Sequence, residues 1–190
     1  MDTGAGPDMD AELVVRFQRG EETAFEDLVR RHMRDAFGFC LRLTGDSAGA
    51  EELSQDGFVL AYRHLKEFRG ESSFRTWLYR ILLNLHRDGI RRRSREDVRM
   101  EKLRRDAEAG AAGRGGEPDA GTRAVELEEV IRRRVAGLPD RQREVLVLHV
   151  YQGLDYRAIA AALDCSYDDV KVNLSLARRR LREELREHLE

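Results

Sequence analysis

Residues 110–122 read GAAGRGGEPDAGT, a run of small and polar residues around one proline with no large apolar side chain. Such a run has nothing to bury and punctuates a chain. The 190 residues are therefore expected to form two small packed units joined by a tether. On both sides of the run the apolar residues recur at steps of three and four, the period of a helix buried on one face. A charged fraction of 37% favours solvated helices over a broad sheet, and a hydrophobic fraction of 41% is enough for packed cores. The expected class is all-α: two small helical domains, a four-helix domain at 10–95 and a helix-turn-helix domain at 124–190, with a disordered tail at 1–9 and a flexible linker at 96–123.

The helices can be read off their stripes and breaks. Leu13, Val14 and Phe17 share one face, and Phe25, Leu28, Val29, Met33, Phe37, Cys40 and Leu41 make a second stripe, for which Glu21 or Thr23 is the candidate cap. Gly45-Asp46 breaks the pattern, and Asp46 or Ser47 suits the start of the next helix, through Leu53, Phe58, Ala61, Tyr62 and Leu65. Gly70 closes that helix, and Phe74, Trp77, Leu78, Ile81, Leu82 and Leu85 carry a fourth. Residues 96–109 form at most a marginal helix through Val98, Met100 and Leu103. Fully extended, the linker spans about 90 Å, and as a coil about 30 Å, so the two domains are expected to reach well-separated sites. In the second block Gly137 ends one helix, Pro139 suits the first turn of the next, and Gly153 ends that one.

The net charge of −2 conceals strong segregation. Residues 51–56 and the N-terminal tail lean acidic. Between Phe68 and Arg95 the chain places its only tryptophan, Trp77, between Phe74 and Tyr79, with Arg75, Arg80, Arg87, Arg91, Arg92, Arg93 and Arg95 opposed, after Glu71, only by Asp88. Aromatic rings stack on unpaired bases and arginines hold a phosphate backbone. The block therefore reads as a grip on single-stranded DNA, local charge deciding the local potential.

The C-terminal block reads as a helix-turn-helix. Asp155 caps a short helix with Ile159, Ala162 and Leu163 inward, Ala158, Ala160 and Ala161 allow close packing, and a turn at Asp164-Cys165-Ser166 leads into a helix that Ser166 caps. Val170, Leu174, Leu181 and Leu185 form its inner stripe. The second helix of such a motif enters the major groove N-terminus first. That leaves Tyr167, Asp168, Lys171, Asn173 and Ser175 for base edges and Arg178 and Arg179 for phosphates.

Other chemistry finds little support. Cys40 and Cys165 lie far apart, with no disulfide framework or metal spacing. His32, His64, His86, His149 and His188 show no metal-ligand spacing, and no phosphate loop, nucleophile elbow or dinucleotide fingerprint occurs. No catalytic residue, metal or cofactor is expected. No apolar run approaches the ~20 residues of a membrane span, and the N-terminus MDTGAGPDMD is no signal peptide. A cytoplasmic location without membrane insertion is expected.

The blocks AFEDLVRRHM, AEELSQDGFVLAYRHLKEF and FRGESSFRTWLYRILLN, followed by LPDRQREVLVLHVYQGLDYRAIAAAL and VKVNLSLARRRLREEL, resemble an extracytoplasmic-function sigma factor, an RNA polymerase specificity subunit. The resemblance covers roughly residues 12–95 and 124–188. It implies bacterial core RNA polymerase and promoter DNA as partners, with an anti-sigma factor holding both domains in check. Glu52, Leu53, Gln55, Asp56 and Phe58 match the helix that docks on the polymerase clamp, where an exposed Leu and Phe among carboxylates would anchor a basic helical hairpin. Gly57 and Ser54 are smaller than the family usually has, and Gly57 is expected to weaken the helix by up to ~1 kcal/mol relative to alanine.

By the same resemblance, residues 68–84 hold the −10 element. Phe68, Ser73, Tyr79, Arg80 and Asn84 would line a pocket for a flipped base, and Arg75, Arg87, Arg91 and Arg92 would hold the strand, with Trp77 packing beneath. The helix-turn-helix would read the −35 element. There the chain departs from the family: Asp169 stands where threonine is common, Val172 and Asn173 replace a polar-arginine pair, and Leu176 replaces an arginine. The linker would thread toward the RNA exit path, with Asp106, Glu108, Glu117 and Asp119 able to mimic nucleic acid. The alternative is a free-standing helix-turn-helix regulator of duplex DNA, which gives the Phe68–Arg95 block no role.

Overall fold

A computed structural model of the chain describes residues 9–105 and 123–189, with side chains outside residue 94 and the ranges 96–105, 123–129 and 187–189. Within the described residues the regular structure is helical throughout. The N-terminal lobe comprises α1 (Met9–Gln18), α2 (Thr23–Thr44), α3 (Ser47–His64), a 3₁₀ turn at Leu65–Glu67 and α4 (Phe74–Arg105). The C-terminal lobe comprises α5 (Arg123–Ala136), α6 (Asp140–Leu146) running into a π-helical turn at Val147–Tyr151, α7 (Tyr156–Leu163) and α8 (Tyr167–Leu189).

Most boundaries follow the expected chemistry. Gly45 ends α2 in the left-handed conformation at φ 84°, its N–H closing on Leu41 O. Asp46 then accepts from Gly49 N at 2.7 Å and starts α3. The expected caps of α2 do not act: Glu21 is taken by Arg16, Thr23 is already inside the helix, and Glu22 occupies the cap position without a side-chain bond. The fourth helix also outruns its expected end at residue 95, continuing to Arg105. No Gly or Pro interrupts residues 90–105, so nothing local stops it. The acidic linker residues Asp106, Glu108, Glu117 and Asp119 lie outside the described residues, as does the tail at 1–8.

The buried side chains form one cluster rather than two separate cores. Leu28, Phe39 and Leu43 of α2 share this core with Leu78, Tyr79, Leu82 and Leu83 of α4, while Val145, Leu148, Ile159, Val170 and Leu174 fill the C-terminal lobe. α7 packs on α4, and α5 and the π-helical turn pack on α2. The two helical lobes sit against one another across these contacts. Arg42 of α2 lies over the Tyr151 ring at 4.0 Å, and Arg132 donates to Gly45 O.

Candidate nucleic-acid interface

The loop before α4 is built on hydrogen bonds and rings. Gln18 of α1 donates to Leu65 O at 3.1 Å and Phe68 O at 2.8 Å, anchoring the loop's base. Gly70 turns the chain at φ 71°, a left-handed conformation that favours glycine. Ser73 then accepts from Thr76 N at 3.2 Å and so starts α4. Phe68 is half-buried against Trp77, with centroids 4.9 Å apart, and Trp77 in turn meets Phe74 at 5.9 Å. Trp77 therefore packs beneath the loop, as its place in the sequence suggested.

The nine residues expected at the −10 element fall into two groups. Ser73, Asn84, Arg91 and Arg92 are exposed, with Phe68 half-buried beside them; Arg91 lies 3.5 Å from Asp88. Arg75, Tyr79, Arg80 and Arg87 instead meet the C-terminal lobe. Arg75 donates to Gln152 O at 2.9 Å and to Gln152 Oε1 at 3.0 Å. The Tyr79 hydroxyl donates to Gln152 Oε1 at 2.5 Å, and Arg80 donates to Ala161 O at 2.5 Å. Arg87 grips Glu144 with both arms of its guanidinium, at 2.7 and 2.6 Å. Tyr79 was expected to line a pocket. It is 1% exposed and lies tilted against Phe39 with centroids 4.7 Å apart, and burial pushes its hydroxyl pKa up. The Arg87 guanidinium is pushed up by its bond to Glu144, which is itself 1% exposed and also lies 3.5 Å from Arg141.

The expected polymerase-docking residues divide differently. Glu52, Gln55 and Asp56 are exposed and Leu53 is half-buried. Phe58, read as exposed beside Leu53, is only 7% exposed and belongs to the core. The reason is the inner face of α3: Ala50, Ser54, Gly57, Phe58 and Ala61 turn together toward the rest of the lobe. Ser54 satisfies its hydroxyl on Glu51 O at 3.0 Å, and Gly57 lets α4 approach. An open groove of about 880 Å³ runs beside this helix, with Glu52, Leu53 and Asp56 along one side, Arg92 and Arg93 on α4, and Asp140 and Arg143 from α6. His86 also lines it; its Nε2 is buried without a protein partner, and burial followed by the nearby Arg143 charge lowers its pKa.

The helix-turn-helix forms as the cap chemistry requires. Asp155 accepts from Ala158 N at 2.8 Å to start α7. Asp164 turns the chain at φ 50°. Ser166 and Asp169 then cap α8 reciprocally: Asp169 N donates to Ser166 Oγ at 3.0 Å, and Ser166 N donates to Asp169 Oδ2 at 3.1 Å. The Ser166 contacts hold the Asp169 carboxyl below its ordinary pKa. Tyr167, Asp168, Lys171, Ser175, Arg178 and Arg179 are exposed. Asn173 is half-buried and donates to Asp169 O at 2.8 Å. Val172, which was not counted among the base readers, is 55% exposed on this helix; its only signal in the sequence was an apolar residue outside the inner stripe.

Cys40 is fully buried and its thiol is pushed up to about 12, while burial also raises the half-buried Cys165. Among the described residues no group of His, Cys, Asp and Glu is placed to hold a metal, and no helix is long and apolar enough to cross a membrane.

Residues 28–96 match the sigma-70 region 2 family, and residues 128–181 match sigma-70 region 4. The chain is 31% identical over 175 residues to the RNA polymerase sigma-H factor of Pseudomonas aeruginosa, covering 90% of this chain and 91% of that protein. It is 32% identical over 173 residues to the ECF RNA polymerase sigma-E factor of Escherichia coli (strain K12), covering 89% and 90%. Among solved structures it is similar to CnrH in complex with the cytosolic domain of CnrY, with a TM-score of 0.68 and 28% identity over 94% of this chain and 98% of that one.

Proposed function

Because this chain belongs to the sigma-70 family of RNA polymerase sigma factors, in the extracytoplasmic-function class, we propose how its residues divide that family's work. The chain is a transcription initiation factor and not an enzyme. It binds core RNA polymerase, directs promoter recognition and DNA melting, and answers to an anti-sigma partner. As a subunit acting on DNA it works in the cytoplasm.

In our reading, residues 10–95 are the region that docks on core and opens the −10 element, and residues 124–190 read the −35 element. Glu52, Leu53, Gln55 and Asp56 meet the polymerase clamp, and Phe58 supports that helix from within. Phe68, Ser73, Tyr79, Arg80 and Asn84 take the flipped base, and Arg75, Arg87, Arg91 and Arg92 hold the strand. Tyr167, Asp168, Lys171, Asn173 and Ser175 face −35 base edges, with Arg178 and Arg179 on phosphates. Melting follows by mass action, because only the open form offers an unstacked base to trap. Each stacked base contributes about 1–3 kcal/mol, so a few contacts offset local unpairing.

The observation that carries the reading is the order of the parts: an aromatic loop capped by Ser73, a cationic helix, then a reciprocally capped helix-turn-helix. The test is transcription in vitro with bacterial core RNA polymerase on fragmented genomic DNA, sequencing transcript 5′ ends. New start sites sharing two spaced upstream elements are expected. If no chain-dependent starts arise while a control sigma subunit is active on the same core, the free-standing regulator is favoured instead.

A further inference from the structure

The outer face of α8 is centred on an apolar side chain. Val170, Leu174 and Ala177 are buried, and Leu181 packs against the same core. At 3.6 residues per turn, Val172 stands about 170° around the helix from their mean direction, the place farthest from the core. It is 55% exposed. Asp168 and Ser175, four residues before and three after, share its face and are exposed, as is Arg179. Asn173, by contrast, is half-buried at the flank, with one amide N–H committed to Asp169 O at 2.8 Å. The rotation of the helix is held at its first turn. Ser166 and Asp169 cap it reciprocally. The Tyr167 ring meets Tyr156 with centroids 5.5 Å apart, and Tyr156 meets His149 at 5.1 Å. His149 Nδ1 in turn lies 3.1 Å from Leu154 O.

A valine at the centre of this face serves neither the helix nor the core. Its branched Cβ lowers helix propensity, and its exposure forgoes the gain from burial. The side chain has no donor and no acceptor. In a major groove it can therefore answer one group alone, the C5 methyl of thymine, the apolar feature among the base edges. The competing chemistry is sparse. Guanine is read by arginine or lysine, and from residue 167 to residue 177 Lys171 is the single cation.

We propose that Val172 is a specificity-determining residue that reads a thymine methyl, so that the −35 element carries an A·T pair opposite the centre of α8. This rests on the reading that α8 enters the −35 major groove. The contact removes one methyl group and the valine branch from water and makes no hydrogen bond. It discriminates by apolar shape, and it loses its basis when the methyl is taken away.

The test uses the full chain assembled with bacterial core RNA polymerase on duplex promoter from a start site mapped by the transcription experiment. Each thymine of the −35 element, on either strand, is replaced in turn by deoxyuridine, which lacks only the C5 methyl. At one position the parent chain is expected to lose about three- to fivefold in promoter affinity, as burial of a single methyl requires. Val172→Ala is expected to bind thymine and uracil alike at that position and to keep every other preference. Val172→Ile is expected to keep the discrimination. The side chain faces away from the core, so both variants are expected to fold. An element without an A·T pair overturns the proposal, as does a parent chain indifferent to every uracil or a discrimination that survives Val172→Ala unchanged. The seat of α8 is judged apart, by scrambling the whole element. If initiation is then unaffected, α8 does not read it and both conclusions fall. If initiation is lost while uracil is tolerated throughout, the seat stands and only the role of Val172 fails.

Discussion

Gly57 of α3 lies against Leu82 of α4 so closely that a Cβ at position 57 would stand 2.2 Å from Leu82 Cδ2 and 3.2 Å from its Cγ. Leu82 is fully buried, so a Cβ at position 57 requires its side chain to shift within the core. A glycine that local propensity marks as a flaw is thus the residue that lets the two helices meet.

The first prediction follows from that contact. Gly57→Ala gains up to about 1 kcal/mol of helix propensity but overpacks the core by about 1–3 kcal/mol. The variant is expected to be less stable than the parent in denaturant unfolding. In a Leu82→Ala background the same substitution is expected to be neutral or stabilising. A gain in stability in the parent chain would show that Leu82 yields.

Asp10 ties α1 to α2. Its Oδ2 lies 2.7 Å from His32 Nε2, and its Oδ1 accepts from Arg31 at 2.9 Å. The His32 hydrogen bond first, then the charges of His32 and Arg31 and the Arg31 bond, outweigh burial and hold the carboxyl below its ordinary 3.8. A depressed carboxyl contributes stability that is complete above the unfolded value and is lost as pH falls through the folded one. Asp10→Asn is expected to cost about 1–2 kcal/mol near neutral pH and to flatten the loss of stability below about pH 4. Thermal melts across pH check both; an unaltered acid limb would count against the pairing.

Phe68→Ala with Asn84→Ala is expected to leave affinity for core polymerase unchanged and to impair open-complex formation, read by permanganate reactivity of unpaired thymines. Neither side chain reaches the exposed carboxylates of α3. Loss of core binding would mean that the division of labour within residues 10–95 is mistaken.

On α8 the cap and the reading face make separable predictions. Asp169→Ala is expected to lower the melting temperature without altering −35 preference, because its carboxylate is spent on Ser166. Asn173→Ala is expected to shift −35 preference and leave binding to single-stranded −10 DNA unchanged. Selection of binding sites from a randomised −35 pool distinguishes the two; a preference that moves with Asp169 would make it a reader.

Replacement of both Cys40 and Cys165 by alanine is expected to leave transcription unchanged with and without oxidant. Cys40 is buried with its thiol pushed up to about 12, which withholds the reactive thiolate. A response to peroxide that disappears in the double variant would assign a redox role to Cys165.

Helix periods, the breaks at Gly45, Gly137 and Gly153, and the caps Asp46, Asp155 and Ser166 were legible because each depends on neighbours within four residues. The family blocks were legible for the same reason, being contiguous strings. The inward turn of Phe58 was half-written: Ser54, Gly57 and Ala61, all small, mark the face where another helix comes close, yet nothing in the string says which helix.

What the amino-acid sequence determined by itself is therefore local: an all-α chain, the places where its helices start and stop, and the cationic and helix-turn-helix segments that tie it to its family. The tertiary structure decided the rest. It put Gly57 against Leu82 and joined Arg87 to Glu144 and Tyr79 to Gln152 across the two lobes. Such pairs are brought together by the packing of whole helices, and charge or size at one position carries no record of which distant residue will answer it.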